Sequence, residues 1–109
     1  MKDFIQDIYN LLKNREINTL SVMENTVWIS KTQDTFEKTH ITLNDQEVEE
    51  LITFISKDYP NKPSIRNPIW RGRTPHEFIT DIALPPISFK GPTITIYRES
   101  LFSGDFYTY

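Results

Sequence analysis

Residues 77–98 read EFITDIALPPISFKGPTITIYR. Phe78, Thr80, Ile82 and Leu84 recur at every second position, so the spacing predicts a strand over 77–84 with these four on one face. Pro85-Pro86 stops it, because proline has no N–H to give to a ladder. Gly91-Pro92 then turns the chain into Thr93-Ile94-Thr95-Ile96, which predicts a further strand over 93–98. The stretch is thus strand, stiff corner, turn and strand.

Working outward, residues 60–75 carry Pro60, Pro63, Pro68 and Pro75 and are expected to be loop with short extended pieces. Before them lies the clearest helix signal. Asn44 is a good N-cap, Glu47 three residues on completes a capping-box pattern, and Asp45, Glu47, Glu49 and Glu50 suit the positive end of the helix dipole. Val48, Leu51, Ile52 and Ile55 form its buried stripe, and the helix is expected to end before Pro60. A second helix is predicted over 2–15 from Phe4, Ile5, Ile8, Leu11 and Leu12. Between the helices, residues 17–23 and 26–31 read as paired strands around a Glu24-Asn25 turn. Residues 35–43 read as a third strand, in which Phe36 and the pair Ile41 and Leu43 disagree in parity. A bulge or an early strand end would reconcile them. The order predicts one α+β domain over residues 1–109, with a mostly antiparallel sheet of five or six strands and two or three helices packed on it.

Composition narrows the function classes. The 109 residues carry a net charge of −3, so any attraction to nucleic acid or an anionic membrane must be a local patch. The chain has no cysteine, which excludes disulfides, thiolate catalysis and Cys-based zinc sites. No apolar run approaches the roughly 20 residues that span a bilayer, and the N-terminal apolar positions are interrupted by charges, unlike a signal peptide. The three glycines, Gly72, Gly91 and Gly104, cannot make a GxxxxGK[ST] phosphate loop or a Rossmann fingerprint. His76-Glu77 opens like HExxH, but Thr80 stands where the second histidine must be. Catalysis by this chain is not expected, and neither a catalytic residue nor a metal ligand is assigned. His40 and His76 read as ordinary strand or loop residues.

Residues 67–100 resemble the N-terminal domain of the hexameric traffic ATPases of type IV secretion, conjugation and type II secretion. Asn67-Pro68-Ile69-Trp70 matches a proline followed by apolar residues, Pro85-Pro86 matches a strand that ends in Pro-Pro, and Gly91-Pro92 leads into Ile94-Thr95-Ile96 with Ser100 beyond. Pro75 falls on another common family proline. Upstream, INTLSVMENTVWIS at 17–30 is similar to the family's strand, Asn turn and strand, and LNDQEVEELITFIS at 43–56 to its polar-capped helix. The similarity extends over about residues 10–100.

Two positions depart from the pattern. The family has an arginine six residues before Pro-Pro and another after the Ile-Thr-Ile run. Here those positions hold Ile79 and Tyr97, with Arg98 one place later and expected on the other side of the strand. In the family such arginines help hold nucleotide against the ATPase domain, a role suited to their planar fork of donors. The resemblance therefore implies a free-standing, degenerate version of that domain. It would be cytoplasmic and bacterial, at the inner face of the membrane where it is peripheral, and would bind ATP only through an ATPase domain. Its expected partners are a secretion or conjugation ATPase, a component of the machinery, or copies of itself.

Candidate contact residues follow from these readings. Arg71, Arg73 and Arg98 are candidates for contact with a nucleotide or phosphate; Trp28, Trp70, Arg66, Tyr97, Phe106 and Tyr107 are candidates for contact with a partner. The loop around Trp70 reads either as a solvated loop with one anchoring aromatic, or as a phosphate, nucleic-acid or acidic-partner site with Trp70 stacking and Arg66, Arg71 and Arg73 pairing. Trp28 reads as packing on a neighbouring element or as an exposed hot spot. The aromatic tail 101–109 reads as folding back on its own domain or as an arm that docks on a partner, as by strand addition.

Overall fold

A computed structural model describes residues 3–32, 35–74, 78–85, 87–88 and 90–98. The element order is α1 (Asp3–Leu12), β1 (Thr19–Met23), β2 (Thr26–Ser30), β3 (Glu37–Thr42), α2 (Asp45–Ser56), β4 (Ile69–Thr74), β5 (Phe78–Ala83) and β6 (Thr93–Arg98). The strands form one antiparallel sheet in the order β3-β2-β1-β6-β5-β4, so the fold is α+β, with six strands and two helices among the described residues. Two three-stranded meanders meet where β1 pairs with β6, from Thr19 opposite Tyr97 to Val22 opposite Ile94.

Local chemistry starts and stops these elements. Asn44 Oδ1 accepts from the Glu47 N–H at 2.7 Å, and Glu47 Oε1 accepts from the Asn44 N–H at 2.9 Å, which closes the capping box of α2. The β1–β2 hairpin turns through Glu24 and Asn25, both with positive φ, 49° and 65°. Left-handed backbone at both central positions is the type I′ signature that matches strand twist. Asn25 also ties this turn to α2, donating to Leu43 O at 2.9 Å and to Asp45 Oδ1 at 3.0 Å. Gly91, at φ 92°, makes the left-handed step before Pro92 that no L side chain adopts easily.

Both helices lie on one face of the sheet. Ile5, Ile8 and Leu12 of α1 and Val48, Leu51 and Ile55 of α2 share a single core with Leu20, Val22, Val27, Trp70, Phe78, Ile82, Ile94 and Ile96. Strand alternation accounts for the membership: the register aligns Val27, Val22, Ile94, Ile82 and Trp70 in one row across the sheet.

Neither helix has a basic residue in its last turn. Cations from elsewhere in the chain take that place. Arg98 Nη2 donates to Leu12 O and, at 3.3 Å, to Asn14 O at the end of α1. Lys62 Nζ donates to Ser56 O at 2.5 Å and Lys57 O at 2.9 Å at the end of α2. Each satisfies carbonyls that have no partner within the helix and meets the negative end of its dipole.

Two expectations need correction or refinement. Residues 60–75 are not loop throughout, because Ile69–Thr74 is a full edge strand paired with β5. Pro68 stands just before the strand and contributes only its carbonyl, which accepts from Leu84 N–H at 2.8 Å. Of the inward positions of β4, Trp70 and Gly72, the second carries no side chain, so the apolar alternation that marks a strand is missing. In β3, the strand begins only at Glu37, which leaves Phe36 outside it and exposed. Thr39 to Ile41 oppose the single Val27, an irregularity of two extra residues that preserves parity. Thr39 Oγ1 bridges it, donating to Val27 O at 2.7 Å and accepting from Ile41 N–H at 3.1 Å.

The substitution Asn44→Ala opens the capping box and should cost about 1 kcal/mol of unfolding free energy, read from urea titration followed by circular dichroism.

Candidate functional site

The face of the sheet opposite the helices carries a different chemistry. Register places Lys38, Trp28, Ser21, Thr95, Asp81 and Arg71 side by side across all six strands. The next row runs Ser30, Thr19, Tyr97, Ile79 and Arg73. Strand period alone determines this: every residue two away from a core residue returns to the core, and its neighbours face out.

Asp81 is the centre of this face. Its Oδ1 accepts from Arg71 Nε at 2.6 Å, and its Oδ2 accepts from Arg71 Nη2 at 3.2 Å and from Tyr97 OH at 2.9 Å. Arg71 sits directly opposite Asp81 on β4, while Tyr97 is its diagonal neighbour on β6. Burial, the bond to Asp81 and that carboxylate's charge push the Tyr97 phenol up to about 12, with Arg71 opposing. The bond to Asp81 likewise raises the Arg71 guanidinium. Beside them, Ser21 Oγ and Thr95 Oγ1 share a hydrogen bond at 3.3 Å.

The outer edge of β4 is dressed by the loop that precedes it. The Tyr59 hydroxyl accepts from the Arg73 N–H at 2.6 Å and donates to the Arg73 carbonyl, so one phenol satisfies both outward backbone groups of that residue. Trp70 turns inward from the same strand. Its Nε1 donates to Asn61 O at 2.8 Å and its ring meets Tyr59 edge-on at 5.1 Å. The indole lies flat over Gly72: a Cβ there would stand 2.2 Å from Trp70 Cη2. Only glycine lets the ring lie across the strand in this way.

The sequence candidates therefore separate. Arg71 and Arg73 project from β4 on the open face, with Arg71 forked onto Asp81. Tyr97 shares that face, 6% exposed. Trp28 is half-buried on it, two strands from Tyr97 and four from Arg71. Arg66 is exposed in the turn between Ser64 and Asn67. Trp70, at 5% exposure, faces the core, so it offers no platform for a base or sugar beside those arginines. Arg98 lies on the helix side, stacked 5.2 Å from the Phe78 ring and bonded to α1, away from Arg71 and Arg73. Phe106 and Tyr107, with the whole tail 101–109, lie outside the described residues, as do Pro75, His76, Pro86 and Ser100. Asp81 and Tyr59 escaped the sequence reading. An acid inside an alternating strand was the available signal for Asp81, and Tyr59 gave none. Among the described residues no group of three or more His, Asp or Glu side chains is placed to hold a metal ion. No helix among them is long and apolar enough to cross a membrane.

Comparison with known proteins gives a likeness of fold. No protein-family model matches this chain, and no curated protein matches it in sequence. Among solved structures it is similar to the VirB11 ATPase from the Brucella suis type IV secretion system in complex with sulphate, with a TM-score of 0.73 and 15% identity. The alignment covers 86% of this chain and 30% of that one, so the chain spans under a third of its length.

Two substitutions test this site. Gly72→Ala forces a methyl group into a buried, hydrogen-bonded indole and should lower stability by about 1–3 kcal/mol, with a change in tryptophan fluorescence. Tyr97→Phe should cost about 1.5–3 kcal/mol at neutral pH, as the loss of a hydrogen bond to a carboxylate does. The folded phenol titrates above its ordinary value of 10, so its contribution is complete below pH 10 and is lost as pH rises towards 12. Denaturation series between pH 9 and pH 12, from about one unit below the unfolded-state value up to the folded value of about 12, should show a shallower alkaline decline in Tyr97→Phe than in the parent.

Proposed function

We propose that this chain is a non-catalytic docking domain of the kind that stands at the N-terminus of type IV secretion traffic ATPases, either serving such an ATPase as part of it or acting as a regulator derived from one. The observation that carries the reading is the fold likeness over 86% of the chain to a type IV secretion ATPase. The placement of Ile79 and Tyr97 supports it further. These are the two positions where the resemblance calls for arginine, and they face each other across β5 and β6 on the side of the sheet away from the helices. Arg73 continues the same row on β4. A row able to carry a cluster of cations towards a nucleotide instead holds an apolar side chain and a phenol bonded to Asp81. The scaffold is of the nucleotide-facing kind, and its chemistry is that of a protein contact.

In this reading the chain does no chemistry of its own and takes no cofactor. ATP enters through the ATPase it serves, and the work is done in the cytoplasm, at the inner face of the membrane. Partners are the ATPase, other components of the secretion or conjugation machinery, or further copies of this domain.

Light scattering of the purified chain, together with pull-downs against the cognate ATPase and machinery components, checks this. Self-association or saturable binding to one of them is expected. A strict monomer that retains none of them would overturn the proposal.

A further inference from the structure

The two edges of the sheet are not equivalent. The β3 edge is broken by the irregularity opposite Val27, which spoils a template for strand addition. The β4 edge is regular from Ile69 to Thr74. Because Pro68 bonds inward to Leu84, the residues whose N–H and C=O point outward are Asn67, Ile69, Arg71 and Arg73. Asn67 is closed by Ser64, through bonds of 2.9 and 3.2 Å. Arg73 is closed by the Tyr59 hydroxyl. The outward groups of Ile69 and Arg71, between these two seals, have no partner among the described residues.

The side chains around this gap define what fits it. Ile69 is 68% exposed and Ile65 86% exposed, both unusually open for isoleucine. Residues 60–74 carry Lys62, Arg66, Arg71 and Arg73 and no acid, in a chain whose net charge is −3. Arg71 gives Asp81 its Nε and one Nη2 contact, and a guanidinium has five donors. A strand laid on this edge would set one residue beside Ile69 and another, two further on, beside Arg71, both on the open face.

The geometry points to β4 as a docking edge for an extended peptide segment with alternating apolar and acidic side chains. Backbone bonds to Ile69 and Arg71 supply the pairing, an apolar residue covers Ile69, and an acid meets Arg71. A second copy fits poorly: two β4 edges paired through Ile69 and Arg71 would make the two Arg71 side chains diagonal neighbours on one face, and the β3 edge is irregular. Nucleic acid fits poorly too, because it offers no alternating amide ladder and Trp70 is turned inward. This assignment rests on the docking reading above and names its surface and the chemistry of its partner.

The test uses the full chain and a fluorescent peptide of alternating valine and glutamate, followed by anisotropy. Saturable binding is expected, weakened at least about tenfold when lysine replaces glutamate, since the charge-assisted contact is then reversed. Methylating one alternate set of the peptide's amides should abolish binding, and methylating the other set should not, as strand addition requires. Ile69→Pro removes an outward N–H while leaving the β5 ladder intact, so it should lose the peptide with no fall in thermal midpoint. No saturable binding, equal binding of the lysine peptide, indifference to methylation, or displacement by oligothymidylate would each overturn the assignment. If the secretion components bind and the peptide does not, the edge assignment fails and the docking reading stands. If the peptide binds and the components do not, only the docking reading fails.

Discussion

The pairing of β1 with β6 is the constraint on which the remaining structure depends. It joins Thr19 to Tyr97 and Val22 to Ile94, segments more than seventy residues apart. Without it the chain is two three-stranded meanders, each with half a core. With it, Leu20, Val22, Ile94 and Ile96 become fully buried beneath the two helices. Each such side chain contributes roughly 1.5–3 kcal/mol relative to exposure, against about 1 kcal/mol for a typical hydrogen bond. Apolar burial at this seam therefore outweighs the ladder bonds that align it, and the bonds set register more than strength. Closing so long a loop costs only slightly more entropy than closing a short one, so the distance along the chain is no obstacle to stability.

The seam also explains where the helix-end cations come from. Arg98 ends β6 and can reach the α1 carbonyls only because β6 lies beside β1, the strand that follows α1. Its guanidinium rests on Phe78, its cross-strand neighbour, while bonding to Leu12 and Asn14. Lys62 serves α2 similarly from the loop before β4. That loop also supplies Tyr59 to the strand edge and Asn61 to the Trp70 indole. It anchors β4, closes α2 and seals the outer edge at its two ends, Asn67 and Arg73, through a handful of polar contacts.

The two faces of the sheet divide the labour. One is apolar and covered by helices. The other gathers Asp81, Arg71, Tyr97, Ser21, Thr95 and Trp28, on strands spread along the chain. Asp81 organises the face because a carboxylate can accept from several donors at once. Its hold on Arg71 and Tyr97 fixes one side of the guanidinium against the sheet and leaves the rest of it exposed.

Much of this was legible in the sequence. The capping box at Asn44 and Glu47, the Glu24-Asn25 turn, the alternation of Phe78, Thr80 and Ile82, and the helical stripes are local patterns, and local physics enforces them. The α+β class followed from their order. Strand β4 was hidden because its inward positions are Trp70 and Gly72, and the glycine makes sense only once the indole is seen lying over it. Asp81 looked like one more charge, and Tyr59 like a helix end. Arg98 looked like a contact residue until β6 was seen to lie against the end of α1. Apart from β4, the sequence by itself determined which segments are helices and strands and which side chains most of them bury, since period and capping act within a few residues. Which strands meet, which edge stays open and which charges find each other were decided by the tertiary structure, because those partners lie far apart in the chain and meet only when the β1–β6 seam closes.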